Sequence, residues 1–253
     1  MPEVSKPFFS IITPVYNRVN DGKLKRCLDS VMTQTFEDFE HLTIDDGSTE
    51  DVSSVVDHYD ERFQYITIEH QGRVVARNEG FSRAKGKFIA MLDSDDAWDP
   101  MYLATFTYYI EQFPEHHAFC AGAIVHGVKK SEEVGKHLVP VWTKIRHAWE
   151  PPPDPSGKYK SAIFTSGKVG TGMFVFSKEA LDTIGLLPDW LHWEEVADGI
   201  DGYLGVPAGT TGYNRHTRLV GNPYGEDHCM YQKLAMHFDI KIIKAALYIH
   251  YVR

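Results

Sequence analysis

Four short apolar runs, separated by segments with helical spacing, constrain the fold of this chain more than any other feature. The runs are typical of buried strands and cover residues 8–14, 39–44, 63–68 and 88–92. Strands that alternate with helices predict βαβ units, and therefore a mainly parallel central sheet flanked by helices. The predicted fold class is α/β and Rossmann-like.

The segments between these runs carry apolar residues at helical spacing, which predicts helices over residues 23–33, 52–59 and 73–85. We expect Gly86 to end the third of them. The later part of the chain is predicted to add helices at 102–113, 178–185 and 228–237 and strands at 119–128, 168–177 and 240–251. Residues 150–155 form a proline-rich break, and residues 189–224 are rich in aromatic residues without a clear period.

Composition and charge limit the classes of protein to which this chain can belong. The chain has 253 residues with a formal net charge of −9, which argues against a nucleic-acid binder that works through bulk charge. Its three cysteines, Cys27, Cys120 and Cys229, are far apart, which predicts reduced thiols and a cytoplasmic location. No apolar stretch approaches the roughly 20 residues of a transmembrane helix, so none is predicted, and peripheral membrane contact stays open.

Polar motifs follow three of the predicted strands, at residues 14–17, 45–48 and 93–96. In an open parallel sheet, ligands bind beyond the carboxyl ends of the strands. The sequence therefore predicts a functional site where these three motifs meet.

The motif Asp93-Ser94-Asp95-Asp96 places three carboxylates at the end of a buried strand. Clustered carboxylates repel one another, and a divalent cation is their natural partner. The alternative is a capping cluster, in which Asp96 or Asp99 begins the next helix.

Two further motifs leave alternatives open. Asp45 and Asp46 either form a turn with Gly47 or accept hydrogen bonds from a base or sugar. Arg73 and Arg77 lie one helical turn apart, and they either clamp a diphosphate or form a solvated face paired with Glu69 or Glu79.

Near the end of the chain, Gly225-Glu226-Asp227 precedes a predicted helix. Asp227 is either a helix cap or a general base held by a rigid element.

Taken together, and in this order, these motifs resemble the family 2 glycosyltransferases of the GT-A fold. The resemblance is dense from Phe8 to about Leu103 and thinner at residues 170–174 and 225–227. It implies a single GT-A domain over residues 1–253, with a nucleotide-sugar-binding half at about 8–103 and an acceptor-binding half at about 104–253. Residues 189–224 are a long insertion relative to many members, either an acceptor-side lid or a surface insertion.

The resemblance also implies a function and a set of site residues. The implied function is the inverting transfer of a sugar from a nucleoside-diphosphate sugar to a hydroxyl group of a glycan, lipid, protein or small molecule. A UDP-sugar is the expected donor. The cofactor is Mn²⁺ or Mg²⁺, bound at the DXD motif Asp93-Ser94-Asp95. The implied donor-binding residues are Pro14, Tyr16, Asp45, Asp46, Arg73, Arg77 and Asp93, and the implied metal ligands are Asp93, Asp95 and His250.

Within this set, Asp45 is expected to bind the base, and Asp46 either does so or only shapes the turn. His250 is either a metal ligand or an ordinary residue at a strand end. Asp227 is the implied catalytic base, with Glu226 as its rival.

Two other functions compete with this one. A nucleotidyltransferase would normally carry a glycine-rich, basic loop after the first strand, where this chain has Pro14-Val15-Tyr16-Asn17-Arg18. A non-catalytic sugar-nucleotide binder would be expected to have lost Asp93, Asp95 or Asp227, and all three are present.

Overall fold

The fold is seen in a computed structural model, which describes residues 6–134, 137–146, 170–187, 230–231, 233–234 and 237–252. The strands of the described residues are β1 (Phe9–Val15), β2 (Phe39–Asp45), β3 (Phe63–Thr67), β4 (Phe88–Met91), β5 (Ala97–Trp98), β6 (Ala118–Val134), β7 (His137–Arg146), β8 (Phe174–Ser177) and β9 (Ile240–Val252). The helices with complete bounds are α1 (Lys23–Met32), α2 (Val52–Val56), α3 (Arg73–Arg83), α4 (Tyr102–Gln112) and α5 (Lys178–Ile184).

One sheet connects all nine of these strands, in the order β3-β2-β1-β4-β8-β6-β9-β5, with β7 paired to β6. The pairs β3–β2, β2–β1 and β1–β4 are parallel. Beyond β4 the sheet is mixed, since β8 runs antiparallel to both β4 and β6 while β9 runs parallel to β6. The predicted α/β class is confirmed, and its all-parallel part is confined to the first four strands along the chain.

The order of the strands reverses at β1, because the chain runs outward from β1 to β3 and then returns to form β4 on the other side of β1. Such a switch point leaves a crevice at the carboxyl ends of the strands. Both β1 and β2 are buried along their whole length, as expected of strands with both faces covered. The sheet therefore places the polar residues that follow β1, β2 and β4 at one buried edge.

Two of the predicted boundaries are wrong, and a glycine packed closely against a neighbouring strand lies near each of them. Gly86 does not end α3, which stops at Arg83; a Cβ on Gly86 would lie 2.4 Å from the backbone nitrogen of Ser10. The strand predicted at 168–177 begins only at Phe174, after a 3₁₀ turn over Thr171–Met173. In that turn a Cβ on Gly172 would lie 2.4 Å from the ring of Tyr248.

The other predicted elements match β1 to β4, β9, α1, α4 and α5 within a few residues, whereas α2 is three residues shorter than predicted and β6 runs six residues beyond its predicted end. Of the helix predicted at 228–237, the described residues 230, 231, 233, 234 and 237 are helical. The short strand β5 and the strand β7 were not predicted.

Cys27 and Cys120 are buried free thiols. Residues 150–155, the segment 189–224, Glu226, Asp227 and Cys229 lie outside the described residues. No helix in the described part of the chain is long and apolar enough to cross a membrane.

Candidate functional site

A cleft of about 450 Å³ opens at the carboxyl ends of β1, β2 and β4. Its lining comes from the loops that follow these strands and from the start of α3. The residues that line it are Pro14, Val15, Tyr16, Asn17, Arg18, Asp46, His70, Gly72, Arg73, Arg77, Asp93, Ser94 and Asp95. The structure therefore brings together seven of the residues implied by the sequence: Pro14, Tyr16, Asp46, Arg73, Arg77, Asp93 and Asp95.

The loop after β1 forms one wall. Tyr16 is partly exposed, and its ring stacks on the ring of His70 with centroids 4.2 Å apart. Asn17 has a positive φ of 51°, which its short polar side chain tolerates. Its side-chain oxygen accepts a hydrogen bond of 3.0 Å from the backbone N–H of Thr49, and its own N–H donates to the Ser48 hydroxyl. These bonds tie the loop after β1 to the loop after β2.

Asp45 and Asp46 face different surroundings. Both carboxylate oxygens of Asp45 are engaged, one by the N–H of Ser48 at 2.9 Å and the other by the Tyr65 hydroxyl at 2.8 Å. Asp45 closes the turn and does not line the cleft.

Asp46 does line the cleft, and its carboxylate accepts hydrogen bonds from the backbone N–H groups of Gln71 and Gly72 at 2.8 and 2.9 Å. It also lies 2.9 Å from Nδ1 of His70. Asp46 therefore lines the cleft, whereas Asp45, which is expected from the resemblance to bind the base, lies in the turn beside it.

Arg77 and Asp93 form a close ion pair on another wall of the cleft. A guanidinium nitrogen of Arg77 donates to the Asp93 carboxylate at 2.5 Å, and the Arg77 side chain is 3 % exposed. Burial by itself raises the pKa of Asp93, but the Arg77 guanidinium and the Thr171 hydroxyl outweigh it, so that the pKa lies below its usual value.

The solvated-face alternative is wrong for Arg77, and Glu79 pairs with Arg83 instead. Arg73, one turn earlier, is exposed and lines the same cleft.

Asp95 is the half-buried carboxylate of the cleft, and within the part of the chain that the structure describes its side chain has no hydrogen-bond partner. Carboxylate oxygens are hard ligands that suit Mg²⁺ or Mn²⁺. Among the described residues, no three His, Cys, Asp or Glu side chains lie close enough together to hold a metal ion by themselves. Asp93 and Asp95 are the carboxylates of the cleft that could hold such a cation.

Asp96 has a structural role. It is buried, and it accepts hydrogen bonds from the Tyr248 hydroxyl and from the backbone N–H of Tyr251. Nδ1 of His250 lies 3.1 Å from both of its carboxylate oxygens. Burial raises the pKa of Asp96 above its usual value, against the opposing effect of His250.

His250 thus contacts Asp96, and it does not form a possible metal-binding cluster with Asp93 and Asp95. The helix-capping alternative is also wrong for Asp96, because α4 begins at Tyr102 and it is Asp99 that accepts from the N–H of Met101.

The sequence analysis missed His70 as a lining residue, whereas Asn17 lies within the predicted strand-end motif 14–17. His70 follows β3, whose end lies at the same edge of the sheet as the ends of β1 and β2. The strand-end argument that selected the other motifs would have found His70 if it had been applied to β3 as well.

Comparison with known proteins decides the family. The model of the family described as Glycosyl transferase family 2 matches residues 10–185, more than half of the chain. The chain belongs to glycosyl transferase family 2. This membership rules against the nucleotidyltransferase alternative and confirms the expected family and fold.

Relatives of this family 2 chain match it over stretches of about a hundred residues. An uncharacterized glycosyltransferase of Rickettsia bellii is 46 % identical over 89 residues, which are 34 % of this chain and 13 % of that protein. The putative teichuronic acid biosynthesis glycosyltransferase TuaG of Bacillus subtilis is 37 % identical over 97 residues, 37 % of this chain and 38 % of that protein. The chain thus spans much less than two thirds of the length of these relatives.

Solved structures extend the likeness to nearly the whole chain. TarS of S. aureus (residues 1–349), in complex with UDP-GlcNAc, superposes with a TM-score of 0.61 and 19 % sequence identity. The match covers 97 % of this chain and 58 % of that chain. At this identity the likeness establishes the shared fold.

Proposed function

We propose that this protein is an inverting glycosyltransferase that moves a sugar from a nucleoside-diphosphate sugar to an acceptor hydroxyl. The observation that carries the proposal is the cleft at the strand ends, which combines an aromatic and carboxylate wall at Tyr16 and Asp46 with the charged group Arg77, Asp93 and Asp95. A nucleoside diphosphate needs both kinds of surface. TarS, which shares the fold, was solved with UDP-GlcNAc, and this supports a UDP-sugar as the donor.

In the proposed complex, the base lies against Pro14 and Tyr16 and is recognised by Asp46. Asp45 supports the pocket by fixing the turn, because it accepts from Ser48 and Tyr65 and lies outside the lining of the cleft. Arg73 and Arg77 face the donor's diphosphate, and Arg77 also holds Asp93 in a fixed orientation.

Asp93 and Asp95 would hold a Mn²⁺ or Mg²⁺ ion together with the donor's phosphate oxygens. Such a cation would neutralise the charge that grows on the nucleoside diphosphate as it leaves. His250 joins this site only if its ring turns from Asp96 toward the donor, and we propose instead that it supports Asp96.

The transfer itself is an in-line displacement at the anomeric carbon. The acceptor oxygen forms a bond to that carbon from the face opposite the diphosphate, the bond between carbon and the phosphate oxygen breaks, and the acceptor's proton passes to a carboxylate. We assign to Asp227 the role of the general base that accepts the proton of the acceptor hydroxyl. The configuration at the anomeric carbon is inverted because only one displacement occurs.

The wider assignments are part of the same proposal. Residues of about 8–103 bind the donor, and residues of about 104–253, with the segment 189–224, bind a glycan, lipid, protein or small-molecule acceptor in the cytoplasm.

The first test is a thermal-shift panel of UDP-, GDP-, CDP- and dTDP-sugars, each with Mn²⁺ and with EDTA, because a ligand that binds the folded state raises its melting temperature. A shift with a UDP-sugar that requires Mn²⁺ is expected. A panel without any shift would contradict the donor assignment. Sugar transfer to water or to an added acceptor, followed with the same donor, separates an enzyme from a non-catalytic binder.

The second test concerns the general base. Asp227→Asn should reduce turnover by roughly 10²–10⁴-fold, the usual contribution of general-base catalysis, while leaving the affinity for the nucleoside diphosphate close to that of the wild type. Glu226→Gln is the matched control and should keep its turnover. An inactive Glu226→Gln beside an active Asp227→Asn would move the base by one residue.

A further inference from the structure

Three polar residues on or just after α1 hold the segment that follows β4. They are spaced four residues apart, and each contacts a backbone group of that segment. Arg26 donates to the carbonyl of Asp95 at 2.6 Å, and Ser30 accepts from the N–H of Trp98 at 3.2 Å. Gln34 donates to the carbonyl of Asp99 at 2.8 Å and accepts from the N–H of Leu103 at 3.0 Å. Hydrogen bonds from these three residues thus attach the DXD motif and the start of α4 to α1 and the residues just after it.

Arg26 differs from the other two because it contacts the DXD motif itself. Its guanidinium lies over the ring of Tyr251, with the central carbon 4.1 Å from the ring centroid, and this contact holds the planar group in place. Its Nε is buried and has no hydrogen-bond partner among the described residues. A buried donor without a partner is costly, and the hydrogen bond to Asp95 and the contact with the Tyr251 ring offset part of that cost.

That contact acts on the backbone of Asp95 and leaves its carboxylate available. The next residue is fixed from the other side, since Asp96 accepts from the Tyr248 hydroxyl and from the N–H of Tyr251. The N–H of Asp96 also donates to the carbonyl of Asp93 at 3.0 Å, which closes a tight turn. Arg26 thus holds the peptide on the carbonyl side of Asp95, and β9 holds the following residue. These contacts fix the backbone position from which the Asp95 side chain extends.

We propose that Arg26 is a positioning residue that orients Asp95 for the divalent cation, acting through the Asp95 carbonyl and braced by the Tyr251 ring. The inference rests on the proposed function, because it requires the cation at Asp95. It adds a residue of α1, far from the DXD motif in sequence, to the groups that determine the affinity for the cation. A purely structural role for Arg26 would affect the stability of the fold without a specific effect on the cation.

The test compares Arg26→Met with Lys25→Met. Methionine keeps an apolar stem and removes the donor, and Lys25 is the neighbouring exposed cation of α1, paired with Asp29 away from the cleft. Binding of Mn²⁺ in the presence of UDP is measured by the electron paramagnetic resonance signal of free Mn²⁺. Binding of UDP in EDTA is measured by calorimetry, and unfolding in urea reports the integrity of the fold.

We expect Arg26→Met to weaken Mn²⁺ binding about tenfold while UDP binding in EDTA stays within about twofold of the wild type, which fits the loss of a hydrogen bond from a charged donor. Lys25→Met should change neither. Arg26→Lys keeps a cationic donor and should recover part of the Mn²⁺ affinity, although lysine lacks the planar group that stacks on the ring.

Wild-type Mn²⁺ affinity in a folded Arg26→Met variant would overturn the inference, as would an Arg26→Lys variant that binds Mn²⁺ as weakly as the methionine variant. If Arg26→Met does not fold, Tyr251→Leu removes the brace instead, and unchanged Mn²⁺ affinity in that variant overturns the inference equally. A wild-type protein that binds UDP but no Mn²⁺ would defeat the metal-dependent function and this inference together. A normal wild type beside a normal Arg26→Met would defeat the inference alone.

Discussion

Neighbouring carboxylates in the turn after β2 show how strongly a residue's role depends on its contacts. Asp45 is closed off by Ser48 and Tyr65, whereas Asp46 holds the backbone of residues 71 and 72 at the wall of the cleft. Two residues of one type, adjacent in sequence, therefore divide into a carboxylate that lines the cleft and one that does not.

This division predicts opposite effects for matched substitutions. Asp46→Asn should weaken UDP binding about tenfold, because a hydrogen bond with a charged partner contributes roughly 1.5–3 kcal/mol. Asp45→Asn should leave UDP affinity within about threefold and lower the free energy of unfolding by about 1 kcal/mol. Calorimetry with UDP and urea unfolding measure the two quantities. The assignment fails if Asp45→Asn is the variant that loses UDP.

A buried histidine in β2 gives the fold a pH dependence of its own. His41 is fully buried, with Nε2 2.9 Å from the Thr13 hydroxyl and Nδ1 3.3 Å from that of Thr43. Burial disfavours the charged ring and lowers the pKa of His41 to about 3 from its usual 6.5. Between these values the unfolded chain binds a proton that the folded chain does not, so stability falls as the pH falls below 6.5.

We therefore expect His41 to cost the folded state about 2 kcal/mol between pH 7.5 and pH 5, from roughly 1.4 kcal/mol for each pH unit below 6.5. His41→Gln, which keeps a polar side chain between the two threonines, should lose about that much less over the same interval. Urea unfolding at the two pH values provides the comparison. Parallel losses in both proteins would mean that His41 is not the group responsible.

At the scale of elements, α3 must lie close to β1 for Arg77 to reach Asp93. Gly80, one turn after Arg77 on the same helix, faces β1, and a Cβ there would lie 2.4 Å from Cγ2 of Ile12. Ile12 is fully buried at the centre of the sheet and has little room to move. The glycine thus sets the distance between the helix and the strand.

Gly80→Ala should lower the free energy of unfolding by about 1–2 kcal/mol. Overpacking a core costs roughly 1–3 kcal/mol, and the better helix propensity of alanine offsets up to about 1 kcal/mol of this. Ser82→Ala, at an exposed position of the same helix, is the control and should change stability by less than about 0.5 kcal/mol. A stabilised Gly80→Ala protein would show that α3 can move away from β1 without cost.

At the scale of the whole molecule, one sheet connects the predicted donor-binding and acceptor-binding halves of the chain. β4 of the first half pairs with β8 of the second, and the short β5 pairs with β9. The ring of Tyr248 in β9 packs against Gly170 and Gly172, and its hydroxyl donates to Asp96. The halves share their core and their hydrogen-bonded ladder.

We expect the protein to unfold in urea as one cooperative unit, since neither half can keep its core without the other. Far-ultraviolet circular dichroism, which reports helices and strands, and tryptophan fluorescence, which includes the buried Trp98, should give coincident transitions. The separate halves 1–103 and 104–253 serve as controls and should lack a cooperative transition. Two resolved transitions in the full chain would show independent domains.

The sequence by itself determined the features that depend on local pattern. Apolar runs of strand length, helical spacing between them and polar motifs at the strand ends were enough to predict the α/β class and the edge of the sheet that carries the cleft. The family came from the resemblance of the ordered motifs to known glycosyltransferases. The first two inferences succeed because the spacing of apolar residues along a short segment reflects both its type of secondary structure and the face that it buries. The Asp93 motif was recognisable for the same reason.

Only the tertiary structure decided which side chains meet. The contacts of Arg26 with Asp95, of Tyr248 with Asp96 and of Thr171 with Asp93 join residues that are 69, 152 and 78 positions apart. Each depends on strand register and on the rotation of a helix about its axis, neither of which a local pattern specifies. The same holds for Asp45 and Asp46, because successive side chains at the end of a strand point to opposite faces and only the packed neighbours determine which face is the cleft.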